Sequence, residues 1–126
     1  MIKIYPEEVS DNIGLLRAIV KVLDDKQAVG INALCVEKQT SLCSYFIICE
    51  GRSTTHVSAL ADALDEIIGE AGITPLHTEG VKEANWIAID YASTIVHIFD
   101  RNSREFYCLE NLWRDSEKLD LSALLS

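Results

Sequence analysis

Apolar residues recur at two periods along this chain, and the switches between them mark its elements. Ile13, Leu16, Val20 and Leu23 fall on one side of a helix that Ser10 or Asp11 can cap, with Gly30 marking its exit. Ile31 to Val36 is mostly apolar, and Tyr45-Phe46-Ile47-Ile48-Cys49 is a continuous apolar run; both read as strands, the second buried on both faces. Glu37-Lys38-Gln39-Thr40-Ser41 is the polar connection between them. After Gly51-Arg52-Ser53 a second helix begins, capped by Ser53 or Thr54. It carries a broad stripe of Val57, Leu60, Ala61, Leu64, Ile67, Ile68 and Ala71 and stops at Gly72. Short strands follow at Thr74 to His77, Trp86 to Asp90 and Thr94 to Phe99, the last two pairing as a hairpin across Tyr91-Ala92-Ser93. Glu105 to Trp113, with Phe106, Leu109, Leu112 and Trp113 clustered, returns to the helical period, and Arg114 to Ser126 extends that helix or frays as a tail.

The resulting order is helix, strand, strand, helix, three strands, helix. It predicts one α/β domain over residues 1–126, a mixed β-sheet of about five strands flanked by helices. Tyr45 to Cys49, the second helix and the strand near Thr74 suit a single parallel β-α-β crossover.

Charge narrows the partners. Among 126 residues there are 11 Lys and Arg against 20 Asp and Glu, a net charge of −9. A phosphate backbone attracts a basic footprint, so direct nucleic-acid binding falls away and a basic protein partner is favoured. The four cysteines, Cys35, Cys43, Cys49 and Cys108, contain no C-x-x-C pair. No apolar stretch approaches the ~20 residues of a membrane span, and Glu7, Glu8 and Asp11 argue against a transit peptide. A reducing, cytoplasmic setting without a membrane is expected.

Candidate chemistry is sparse. Gly51-x-Ser53 at a strand-to-helix junction reads either as backbone N–H groups cradling a phosphate or as a tight turn followed by an N-cap. The same loop resembles the strand-Gly-Ser-helix element of nucleotidyltransferases, which hold Mg²⁺ with a carboxylate pair that is missing here. An alternative function is therefore a nucleotide-binding transferase using Gly51 to Ser53, with Asp90 as a lone metal ligand. Asp62, Asp65 and Glu66 read as a solvated helix face. Cys49, His56 and Asp62 make a formal nucleophile, base and acid, but Cys49 ends an apolar strand, where cysteine acts as a small hydrophobe. His56, His77 and His97 stand at no zinc spacing, and His97 inside Ile95-Val96-x-Ile98-Phe99 reads as a satisfied or interfacial histidine. No catalytic set, cofactor or metal site is expected.

The densest signal comes late: Glu79-Gly80, then Trp86-Ile87-Ala88-Ile89-Asp90-Tyr91, Val96-His97-Ile98-Phe99, and Arg104 through Trp113. Trp, Tyr and Arg alternate there with charge, the composition of interface hot spots; core burial of Trp86 and Trp113 is the competing reading. Together with Tyr45-Phe46-Ile47-Ile48, Gly51-x-Ser53 and His56-Val57, this ordered series resembles the ribosomal silencing factor family, RsfS, also called Iojap-like. The resemblance implies a nucleotidyltransferase-like topology without the catalytic carboxylates and a non-enzymatic role. It implies binding to ribosomal protein fourteen of the large ribosomal subunit, steric blocking of subunit association with repression of translation, and a homodimer when free. It places the partner-binding patch on Trp86, Asp90, Tyr91, His97, Arg104, Tyr107, Leu109 and Glu110. Three positions depart from the pattern the resemblance implies: Ser44 stands where such proteins usually have Asp, Glu50 where a small residue is common, and Ala92 where Gly often follows the strand.

Overall fold

The computed structural model describes residues 2–125; Met1 and Ser126, the two ends of the expected domain, lie outside the described residues. A 3₁₀ turn at Pro6–Val9 leads into α1 (Asn12–Asp25), whose cap is Asp11: its carboxylate accepts the Gly14 N–H at 2.8 Å. α1 closes at Lys26 and Gln27, the latter at φ 64°, earlier than the glycine marker suggested. Gly30 (φ 58°) instead sits inside β1 (Val29–Cys35), at a bulge where the register against β2 (Tyr45–Gly51) slips between Val29 and Asn32. α2 (Thr54–Glu70) is capped by Ser53, whose hydroxyl accepts the His56 N–H.

β4 (Trp86–Asp90) and β5 (Thr94–Asp100) fall where expected, the strand expected at Thr74 to His77 lies later, as β3 (His77–Glu79), and a sixth, β6 (Glu117–Lys118), adds to β1. Among the described residues the sheet runs β3-β4-β5-β2-β1-β6, with only β2 and β5 parallel. This corrects the expected crossover: the parallel partner of β2 is β5, and β3 lies at the far edge, antiparallel to β4. The physical reason is burial. A central strand such as Tyr45–Gly51 takes an equally apolar neighbour, and Thr94–Asp100 supplies one over seven residues, whereas the polar, fully exposed His77–Glu79 can only sit at an edge.

The late helix also differs from expectation. Asp100 caps it four residues early, accepting the Ser103 N–H at 2.8 Å, so α3 spans Arg101–Tyr107. Cys108 then adopts φ 46° and breaks the helix, and a single turn, α4, follows at Leu109–Leu112. Beyond Trp113 the chain forms β6 and then α5 (Leu121–Leu125), which packs on α1 with Leu124 buried. No helix among the described residues is long and apolar enough to cross a membrane.

The main core lies between one sheet face and the pair α1 and α2, where Leu16, Ile19, Leu23, Ile47, Leu60, Leu64, Ile87 and Ile98 are sealed from solvent. Each such side chain contributes roughly 1.5–3 kcal/mol on burial. The opposite face holds a smaller cluster of Leu34, Val36, Phe46, Ile48 and Phe99, roofed only by the short α3 and α4. That thin cover leaves Trp86 and Trp113 half-buried and Phe106, Tyr107 and Leu112 exposed above a buried Phe99.

Candidate functional site

Strand alternation puts Trp86, Ala88 and Asp90 of β4, Ile95, His97 and Phe99 of β5, and Phe46, Ile48 and Glu50 of β2 on this second face. Trp86 is its hub. The indole stacks on Phe99 (4.9 Å between centroids, 27°), tilts against Tyr107 (4.8 Å), and donates its Nε1–H to His97 Nδ1 at 3.1 Å. Phe46 meets His97 and Trp113 edge-on at 5.0 and 4.7 Å. Pairs of this geometry contribute roughly 0.5–1.5 kcal/mol each beyond their buried area. The two tryptophans are half-buried and both pack against the second cluster, so neither is sealed core nor free surface.

The Trp86 bond fixes the His97 tautomer. Nδ1 accepts, so the proton sits on Nε2, which is buried without a partner. Burial pulls the ring's pKa down from 6.5 to about 4, and His97 is neutral at pH 7. Around this packed centre the roof presents exposed apolar area: Phe106 is 81% exposed, Leu112 76% and Tyr107 51%. The contrast of a rigid aromatic base with exposed anchors above it is the composition of a protein-docking surface.

Arg104 holds the roof in place. Its Nη2 donates to Glu110 Oε2 and to the Gly30 carbonyl, both at 2.7 Å; Nη1 reaches the Val29 carbonyl and Glu50 Oε1 at 3.3 and 3.4 Å. Asn32 Nδ2 donates to the same Glu110 oxygen at 2.6 Å. Burial opposes charge on both partners. The Arg104 hydrogen bond and charge, helped by Asn32, nonetheless hold the Glu110 carboxyl below its ordinary range, and Glu110 and Glu50 raise the guanidinium's pKa in return. Gly30 is required here: a Cβ on it would lie 2.8 Å from Arg104 Nη1, on a backbone already at positive φ.

The structure thus brings Trp86, His97, Tyr107, Leu109 and Asp90 to one face and sets Arg104 and Glu110 at its margin, bonded to each other. Asp90 closes the β4–β5 turn, accepting the Ala92 N–H at 2.8 Å. Tyr91 is apart from these. Its side chain is 5% exposed and packs into the core on the α2 side. Phe46, Phe99, Phe106, Leu112, Asn32 and Glu50 join the face or its clamp although the expected patch did not include them. Alternation pointed to Phe46 and Phe99, but the clamp has no local signal, since Asn32 and Glu110 are 78 residues apart.

The Gly51–Ser53 loop is closed by its own bonds. The Arg52 N–H donates to His56 Nδ1 at 2.9 Å, the Ser53 hydroxyl takes the His56 N–H, and His56 Nε2 lies 3.0 Å from the Lys26 carbonyl. A Cβ on Gly51 would sit 2.7 Å from the Val57 nitrogen, so this glycine serves close strand–helix approach. Cys49 is sealed in the core with its thiol pushed up to about 12 by burial, which keeps it from acting as a thiolate. Asp62, Asp65 and Glu66 are all exposed on α2. Among the described residues no three His, Cys, Asp or Glu gather as a metal site.

Comparison with known proteins bears out the family resemblance. Residues 8–126 match the family model described as ribosomal silencing factor during starvation. The ribosomal silencing factor RsfS of Halalkalibacterium halodurans is 35% identical over 115 residues, covering 91% of this chain and 98% of that protein. Mouse mitochondrial assembly of ribosomal large subunit protein 1 is 27% identical over 82% of this chain and 48% of its own length. A crystal structure of a protein from Chromobacterium violaceum superposes with a TM-score of 0.80 at 27% identity, over 87% of this chain and 91% of that one. On the family match and on identity sustained across nearly the whole relative, this chain belongs to the ribosomal silencing factor family.

Proposed function

We propose that this protein docks on the large ribosomal subunit through ribosomal protein fourteen, and that its bulk there keeps the small subunit from joining. The observation that carries this reading is the second sheet face: a stacked Trp86–Phe99–His97 base under an Arg104-clamped roof that exposes Phe106, Tyr107 and Leu112. Support comes from the net charge of −9, which suits a basic ribosomal protein and opposes bare RNA, and from the mouse relative, whose name ties it to the large subunit. Obstruction needs shape and bulk rather than bond-making, and the free protein is a homodimer in this reading. The setting is cytoplasmic, and the four free thiols suit a reducing compartment.

Within the patch the residues divide by role. Trp86, Tyr107 and Leu109 supply apolar contact, Asp90 and Glu110 the acidic margin. His97 and Arg104 hold the others in position. Tyr107→Ala tests this most cleanly, because the ring is half-exposed. Affinity for isolated ribosomal protein fourteen, measured by calorimetry, should fall about 30-fold, or about 2 kcal/mol, with an unchanged circular dichroism spectrum. Full affinity in that folded variant contradicts the patch.

A further inference from the structure

Six strands at about 4.8 Å spacing span about 24 Å, while two packed helices about 10 Å across cover less. The layer of α1 and α2 therefore stops short of the β3–β4 edge. A cleft of about 260 Å³ opens there, between α2 and the underside of β4. Ile87, Ile89 and the half-exposed Val81 line it with apolar surface, and Asp62 and Asp65 stand on its α2 wall one turn apart. The Tyr91 side chain, 5% exposed, also lines it, and its hydroxyl is buried with no hydrogen-bond partner.

A buried hydroxyl without a partner is uncommon, and two carboxylates at helical spacing repel each other. A single ligand chemistry answers both. We propose that this cleft binds an amphipathic cation, an ammonium group on a short apolar stem, with the charge held by Asp62 and Asp65 beside the Tyr91 hydroxyl and the stem against Ile87, Ile89 and Val81. Burial and the nearby Asp65 charge both push the Tyr91 phenol's pKa upward, so it stays protonated, and a small ring shift that opens the sealed hydroxyl to the cleft gives the cation an oxygen lone pair. The source is either a free alkylamine or a lysine side chain of a partner protein. The cleft lies on the face opposite the docking surface, so either assignment can fail without the other.

Nuclear magnetic resonance titrations of the whole protein with n-butylammonium, N-acetyl-lysine methylamide and neutral n-butanol test this. The cations should shift the amides of Ala61, Asp65, Ile87 and Ile89 saturably, and n-butanol should bind at least tenfold more weakly. Asp65→Asn should weaken the cations about tenfold and Tyr91→Phe three- to tenfold. Tyr91→Phe should melt no lower than the parent, since it removes a polar atom that has no partner. Tighter binding of the lysine derivative points to a protein side chain, and tighter binding of n-butylammonium to a free amine. Equal binding of n-butanol, indifference to Asp65→Asn, or no shifts at the cleft overturns the proposal.

Discussion

At the scale of single residues, two positions show how local chemistry is resolved by packing. Ala92 follows Asp90 in the β4–β5 turn at φ 74°, with its N–H held by the Asp90 carboxylate. A side chain in that left-handed region costs about 1–2 kcal/mol, partly offset by the entropy a glycine loses on folding. Ala92→Gly should raise stability by about 0.5–1 kcal/mol in urea denaturation, and a drop would contradict the turn geometry. His97 is legible only in part. Its place in an apolar strand shows in the sequence, but its tautomer depends on an indole 11 residues away. The unfolded ring takes a proton near pH 6.5 and the folded ring near 4, so the neutral ring's stabilisation is complete above 6.5 and drains away as pH falls through that window. The loss is on the order of 3 kcal/mol at the acid end. Glu110, whose folded pKa is lowered, adds a loss of the same sign at lower pH. The stability advantage of the parent over His97→Gln should therefore shrink from pH 7 to pH 4.5. A constant difference would mean the ring is not held neutral.

At the scale of elements, strongly periodic segments were readable and weakly patterned ones were not. α1, α2, β2, β4 and β5 follow from apolar spacing and caps that the chain states locally. β3 and β6 have three and two residues, all exposed, and owe their pairing to neighbouring strands that need an edge. The break between α3 and α4 is invisible in a run of good helical residues, because it comes from the backbone turn at Cys108 and the pull of Arg104 toward the β1 bulge. That clamp fastens the roof to the sheet. Arg104→Met leaves the Glu110 and Glu50 carboxylates half-buried without their cation, and should cost about 3 kcal/mol with a change in tryptophan fluorescence as the roof loosens. Glu50→Ala leaves Arg104 bonded to Glu110 and two carbonyls, so it should cost under about 1 kcal/mol. Equal effects would mean that the ion pair with Glu50, rather than the link to Glu110, carries the clamp.

For the whole molecule, one sheet does two jobs. Its first face is closed by long helices and supplies most of the stability. Its second is closed only by short ones, which hold an aromatic surface rigid without hiding it. The family and the α/β class were both legible in the sequence, whereas the parallel pairing of β2 with β5 was not, because it joins strands separated by α2, β3 and β4. A rigid surface needs little ordering on binding, and an acidic protein meeting a basic partner associates faster at low salt. The most direct test is light scattering during the joining of purified ribosomal subunits, with the protein added first to the large subunit. Joining should be suppressed by the parent, less strongly as salt is raised, and not by folded Tyr107→Ala at the same concentration. Undiminished joining with the parent bound, or equal suppression by Tyr107→Ala, would contradict docking through the aromatic face.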